Sequence, residues 1–271
     1  MIVDYHVHLR DPSGGIEHTP AAARRFVETA ATRGVDEIGF TEHVYYFRET
    51  QEIWNVPYQS ERCRFDLDRY CDAVLEAKRE GLPVKLALEV DYVGERQERL
   101  SELLGPYPWD YLLGSVHWID GEAIDAEPGL WAHASVDEVW RRYVRALAEL
   151  ARSGAVDVLA HPDLAKIFGE RPEPGVLAGL HSEAAEAIAA AGVAVEISTA
   201  GLRKPVGELY PDAALLAECV RRGAVVTLAS DAHEPHLVGE DFDRAVAAAR
   251  SAGCSTVTVF DARQARQEPL G

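Results

Sequence analysis

The sequence predicts an α/β fold, a TIM-like barrel in which parallel strands alternate with helices, and three observations carry that prediction. Short apolar runs alternate with amphipathic stretches of helical period along the whole chain, which implies a mainly parallel sheet. His, Glu and Asp residues recur where those runs end: His43, Glu89, His117, His161, Asp231 and His233, after His6 and His8 at the first run. Barrels of parallel strands gather their site at the C-terminal strand ends, whereas an open sheet uses one switch point and leaves distant strand ends idle. Here successive strands furnish the polar residues, so the barrel is favoured, with seven or eight strands.

The first strand is Ile2–Val7. A helix follows from Pro20 to about Thr32, with Thr19 as N-cap, Pro20 at its first position and Gly34 closing it. Strand Glu37–Thr41 ends at Glu42 and His43. The segment Val44–Arg64 is aromatic and irregular, long enough to form a lid or rim loop. Helix Leu67–Glu80 stops at Gly81, and strand Val84–Glu89 leads to a short helix near Glu95–Leu104. Strand Tyr111–Val116 ends at His117, and a second irregular stretch runs from Trp118 to Ala134. Helix Val136–Arg152 precedes strand Val156–Ala160, and helix Val176–Ala191 precedes strand Val193–Ser198. Helix Asp212–Arg222 precedes strand Val225–Ala229, just before Asp231. A last helix and a strand near Thr256–Phe260 complete the pattern, and the final ten residues read as a frayed polar tail.

At 271 residues, with no linker or low-complexity run, the chain reads as one domain over 1–271. Its apolar fraction of 47% suits a sizeable core. A formal net charge of −18 argues against nucleic acid, whose phosphate backbone calls for a basic footprint, and against an anionic membrane surface. The four cysteines lack CxxC spacing and read as reduced thiols. With neither a signal-like start nor a membrane-length apolar run, the expectation is a soluble, cytoplasmic protein.

The chemistry starts at Asp4-Tyr5-His6-Val7-His8. Residues two apart in a strand share a face, so His6 and His8 project together and can grip one cation. Taken singly, each histidine reads as a core or surface residue; jointly, at strand ends, they read as ligands. Seven of the ten histidines (His6, His8, His18, His43, His117, His161 and His233) join Glu89 and Asp231 as metal candidates. Nine groups are too many for one zinc and suit two or three metals. His18 lies in a loop after Arg10–Gly15, where Asp11 is its rival. His133, His181 and His236 read as structural or surface residues.

Three dications against two carboxylates leave a positive pocket that would attract a phosphate dianion despite the acidic exterior. A hydroxide shared between metals would supply the nucleophile. No G-x-S-x-G elbow or P-loop offers another route. On the same rim, Arg203 could clamp phosphate through two parallel hydrogen bonds, with Lys204 beside it.

The segments DYHVH, FTEH, LEVDY, GSVHWIDG, AHPDL, STAGLRKPVGELYP and ASDAH resemble the ordered motifs of the PHP (polymerase and histidinol phosphatase) superfamily. Within it, the PHP-type histidinol-phosphate phosphatases are the most similar, from His6 to about Gly239. The resemblance implies a distorted (β/α)7 TIM-like barrel with three metals. It implies a first site of His6, His8, Glu89 and Asp231, and Glu89 bridging to a second completed by His117 and His161. His18, His43 and His233 would form the third. The implied reaction is hydrolysis of L-histidinol phosphate in histidine biosynthesis, with zinc, iron or manganese as cofactor. Asp231, His233 and a metal-bound water compete as proton donor to the leaving group, with Arg203 as a further catalytic candidate. The alternatives are a PHP phosphoesterase for another small phosphomonoester or diester, and a non-catalytic metal-stabilised scaffold.

Overall fold

Seven parallel strands curl into a nearly closed barrel in a computed structural model, which describes residues 1–126 and 129–271. Two residues of the second irregular stretch therefore lie outside the described residues. The barrel strands are β1 (Val3–Val7), β2 (Glu37–His43), β3 (Val84–Asp91), β4 (Tyr111–Ser115), β7 (Val158–Leu159), β8 (Ala194–Ser198) and β9 (Val226–Ala229). They pair in that order. Between them, α1 (Pro20–Thr32), α3 (Leu67–Arg79), α4 (Gln97–Leu104), α5 (Val136–Arg152), α6 (Pro174–Ala191) and α7 (Ala213–Arg221) return the chain to the other end of the barrel. The sheet joins its own first strand just past β9: Val7 bridges Ala232, and the His8 amide donates to the Ala232 carbonyl at 2.8 Å.

Local signals placed the helices. Thr19 accepts a hydrogen bond from the Ala22 amide, with Pro20 opening α1, and Asp212 accepts from Ala214 and Leu215 to start α7. Between β2 and α3, the Val44–Arg64 segment forms two 3-10 turns, Val44–Tyr46 and Arg48–Ile53, and the four-residue α2 (Pro57–Ser60). After β4 comes a small hairpin of β5 (Trp118–Ile119) and β6 (Glu122–Ala123).

The chain end departs from expectation. Following α8 (Phe242–Ser251), β10 (Thr256–Asp261) is not a barrel strand but pairs antiparallel with β11 (Gln264–Pro269). What reads as a frayed tail is thus an ordered strand. Its side chains are almost all exposed, so no apolar alternation betrays it. Backbone pairing with β10 and the Arg263–Asp157 ion pair hold it in place. No helix among the described residues is long and apolar enough to cross a membrane.

Aromatic packing fills the N-terminal end of the barrel. Tyr5 stacks on Tyr111 with centroids 4.9 Å apart, Phe260 packs 5.4 Å from Tyr111, and the Tyr111 hydroxyl donates to the Tyr5 carbonyl. Gly39 makes room: a Cβ there would stand 1.7 Å from the Tyr111 hydroxyl oxygen. Gly39→Ala is expected to destabilise the protein by about 2–3 kcal/mol through overpacking. Adding Tyr111→Phe, which alone costs about 1 kcal/mol, should recover part of that loss. Urea midpoints of the two single variants and the double variant check this, and a neutral Gly39→Ala would refute it.

Candidate metal centre

At the opposite end of the barrel, β1 carries His6, His8 follows directly after it, and β3 presents Glu89 between them and the next strands. All three residues are fully buried. Register brings His43 of β2 alongside Glu89 of β3. The carboxylate divides its neighbours between its two oxygens. Oε2 faces His43 Nδ1 at 2.6 Å, His6 Nε2 at 3.4 Å and His8 Nε2 at 3.7 Å. Oε1 faces the Nε2 atoms of His117 and His161, both at 3.4 Å. Asp231 turns Oδ1 toward His8 Nε2 at 3.4 Å, His233 Nδ1 at 3.5 Å and His6 Nε2 at 3.6 Å.

These contacts are close, yet His6 Nε2, both His8 nitrogens, His43 Nδ1 and both Glu89 oxygens are buried without a hydrogen-bond partner. Buried polar atoms ordinarily have partners, because leaving one bare costs about 1–3 kcal/mol. Donor atoms that converge without bonding one another are what a cation between them would satisfy. Four such groups lie within reach of a common point: His6, His8 and Asp231; His6, Glu89 and His161; His8, His43 and His233; and His43, Asp91 and His117.

Eight of the nine candidates converge in this way. His18 does not: it packs against Phe47, Phe65 and Tyr70, with Nε2 buried, unpartnered and 4.0 Å from Glu42 Oε1. The imidazole standing with His43 and His233 is that of His8, stacked 4.0 Å from His233. Asp11, the rival, is consumed by its own turn, where it accepts from the Ser13 and Gly15 amides.

Reading the sequence alone missed the outer carboxylates. Glu196 on β8 lies 2.9 Å from His6 Nδ1 and accepts the His161 amide through its other oxygen. Asp91 lies 2.9 Å from His117 Nδ1. A carboxylate at Nδ1 fixes the ring with Nε2 toward the cluster, where loss of the Nε2 proton frees that nitrogen to bind a cation. Glu42 accepts from the Leu9 amide and from Arg10. Strand alternation held the signal, since Asp91 is two residues past Glu89 and Glu196 is a lone acid in an apolar strand.

The electrostatics follow from this crowding. Burial alone would depress His6, but Glu196, Asp231 and Glu89 outweigh it and hold the imidazole well above its ordinary value. For His117 burial is likewise overcome by Glu89 and Asp91, which push it up to about 10. Burial wins at His43 and at His233, which both titrate low. Glu89 would be raised by burial, yet His43, His6 and His117 hold it well below the carboxylate range.

Two strand-end residues adopt a left-handed backbone, His161 at φ 27° and Asp231 at φ 51°. Such φ values cost a non-glycine residue about 1–3 kcal/mol and persist where surroundings enforce them. At Asp231 the enforcement is visible. Asp4 accepts from the amide and hydroxyl of Ser230, while the Arg203 guanidinium donates to the Ser230 carbonyl. Arg203 also lies 3.5 Å from Glu240. It thus grips the backbone beside Asp231, and Lys204, not Arg203, lines the cavity above the cluster. That cavity, of about 390 Å³, is walled by His43, His117, Glu89, Asp231, His233, Lys204, Tyr45, Tyr46, Tyr58, Trp118 and Asp125, among others.

Comparison with known proteins finds relatives along nearly the whole chain. A Deinococcus radiodurans protein named "Probable histidinol-phosphatase" is 32% identical over 256 residues, covering 93% of this chain and 94% of that protein. The Bacillus subtilis histidinol-phosphatase is 26% identical over 269 residues, 89% of this chain and 96% of that one. The crystal structure of a histidinol phosphate phosphatase from Lactococcus lactis, complexed with zinc, L-histidinol and phosphate, shares the fold with a TM-score of 0.79. It is 20% identical and covers 98% of both chains. The PHP domain model matches residues 4–200, the span from β1 through β8 that carries all but two of the converging donors, and the chain belongs to the PHP domain family.

Proposed function

We propose that the protein is a metal-dependent phosphoric monoester hydrolase that converts L-histidinol phosphate to L-histidinol and phosphate, a step of histidine biosynthesis. One observation carries the reading: a buried carboxylate, Glu89, whose two oxygens face five imidazole nitrogens at 2.6–3.7 Å without a hydrogen bond, beneath an open cavity. The relatives matched over nearly their whole length bear the name of this activity.

The donor set fits two to three divalent ions of the zinc, iron or manganese type, and its imidazoles suit zinc and iron better than magnesium. His6, His8, Glu89 and Asp231 would hold the first, and Glu89, His117 and His161 the second. His43 and His233 are the donors left for a third, with His18 standing behind Glu42. Such ions supply Lewis acidity toward the phosphoryl oxygens and acidify a water nucleophile. The chain's own groups do the rest. Lys204 brings a cation to the cavity wall for the phosphate, and Glu196 and Asp91 hold His6 and His117 in one orientation. Asp231 and His233 line the cavity as metal donors and are held unprotonated, so the leaving alkoxide oxygen takes its proton from water in the cavity. Arg203 acts through Ser230, fixing the strained backbone of Asp231.

Phosphate release from L-histidinol phosphate, with metal content measured on the same sample, tests the reading. Turnover that disappears on chelation and returns with zinc or manganese is expected. Glu89→Ala and Asp231→Ala should each lower kcat by roughly a thousandfold or more while the protein stays folded. Retained turnover in both variants would refute the metal reading. Glu196→Gln should keep the fold and weaken metal affinity by about 10- to 100-fold, measured by competition with a chromogenic chelator; unchanged affinity would remove its orienting role. Lys204→Ala should raise KM by about tenfold with kcat little changed, whereas Arg203→Ala should act mainly on kcat. The reverse pattern would return the phosphate clamp to Arg203.

A further inference from the structure

Lys166 is a fully buried lysine that the metal chemistry leaves unused. It closes the 3-10 turn Leu164–Lys166, just past His161, and Asp163 beside it is buried as well. The Lys166 ammonium donates to Asp163 Oδ2 at 2.8 Å and to the Leu209 carbonyl at 2.7 Å, with Glu208 3.5 Å away. The same Asp163 oxygen accepts the Asp212 amide at 2.8 Å. Nearby, the Val206 amide donates to the Ile167 carbonyl at 3.0 Å. Tyr210 packs between the two segments, its ring 5.3 Å from Lys166 Nζ and 6.2 Å from the His161 ring. The turn after His161 is thus fastened to the Thr199–Asp212 segment through one buried ion pair.

That segment is folded tightly on itself. Ser198 and Tyr210 exchange backbone hydrogen bonds at 2.6 and 3.0 Å, and a Cβ at Gly201 would overlap the Glu208 carbonyl. Where its base is set, its crest follows. The crest carries Arg203, which holds Ser230, and Lys204, the one lysine or arginine in the cavity wall among the described residues. A buried ion pair is weak as a source of stability, because desolvation offsets its attraction and apolar residues of similar shape often serve as well. An ammonium with directional acceptors on two segments instead favours the one docking that supplies all of them.

We propose that Lys166 is a positioning residue for the phosphatase reaction. Anchored by Asp163 to the turn that carries His161, it fixes the Thr199–Asp212 segment and so places Lys204 beside the metal donors. This role presupposes the phosphatase reading above, with Lys204 as the phosphate contact. It adds the buried pair that ties that cation to a metal donor.

Lys166→Met alone strands the Asp163 charge and should lower Tm by roughly 10 °C. The paired substitution Asp163→Asn/Lys166→Met keeps both shapes without charge and should recover most of that loss. Its kcat/KM for L-histidinol phosphate should still stay roughly tenfold or more below wild type, with metal content unchanged. Inorganic phosphate should inhibit it about tenfold more weakly. In a Lys204→Ala background the same pair substitution should change phosphate inhibition by less than about twofold, because its effect runs through Lys204. Recovery of phosphate inhibition together with Tm would overturn the proposal and leave the pair purely structural. A further loss of about tenfold in the Lys204→Ala background would overturn it too, since additivity marks an independent route. Failure of wild type to release phosphate from L-histidinol phosphate would instead overturn the reading beneath it.

Discussion

The buried carboxylate of Glu89 is the constraint around which the barrel top is organised. A fully desolvated negative charge is costly unless it is paired or holds a metal. Glu89 is surrounded by nitrogens from four other strand ends or their following loops, yet hydrogen-bonds to none of them. His6 and His117 are each backed by a carboxylate, Glu196 and Asp91, that turns Nε2 toward the cluster. The molecule has spent burial and backbone strain on an arrangement that closes only around cations. The carboxylate also divides the site, because Oε2 serves the β1–β2 side and Oε1 the His117–His161 side.

Barrel geometry makes such a centre attainable. Residues from β1, β2 and β3, and from the turns after β4, β7 and β9, are far apart in sequence but adjacent at one end of the barrel. The other end is occupied by Tyr5, Tyr111 and Phe260, so the barrel interior is a packed core with a reactive mouth at one end, not a channel. The left-handed backbone at His161 and Asp231 marks where strand regularity ends and side chains must turn back over the mouth. Asp4 and Arg203 hold Ser230 from both sides, which explains how a strained Asp231 stays in place.

Much of this was legible because the sequence writes strand-end chemistry plainly. His6 and His8 share a face by alternation, and Glu89, His117 and His161 each follow an apolar run, so the parallel barrel was legible with seven or eight strands, and eight of the nine candidate donors are residues that the fold brings together. The parts that were not legible have physical causes. Glu196 and Asp91 read as ordinary acids until pairing across the barrel sets them behind His6 and His117. Arg203 shares its rim position with Lys204, but only the backbone path shows that its guanidinium turns away to the Ser230 carbonyl. His18 sits on an aromatic floor built from Phe47, Phe65 and Tyr70, whose convergence no local periodicity announces. The last strand carries polar side chains outward along most of its length, so hydropathy gave it no signature.

Charge balance links the outer carboxylates to the choice of substrate. Counting only Glu89 and Asp231, three dications would leave a surplus about twice the charge of one phosphate dianion. Glu196 and Asp91 change the count, each lying 2.9 Å from a histidine that faces Glu89. Together the four carboxylates neutralise two dications, and a third leaves a surplus equal in size to a phosphate dianion. Glu42 does not enter, since Arg10 lies 2.8 Å from it and cancels it locally. On this count the buried acids behind the histidines do more than aim imidazoles. They set the net charge of the mouth, so that a chain of formal charge −18 offers a phosphate monoester one cationic point.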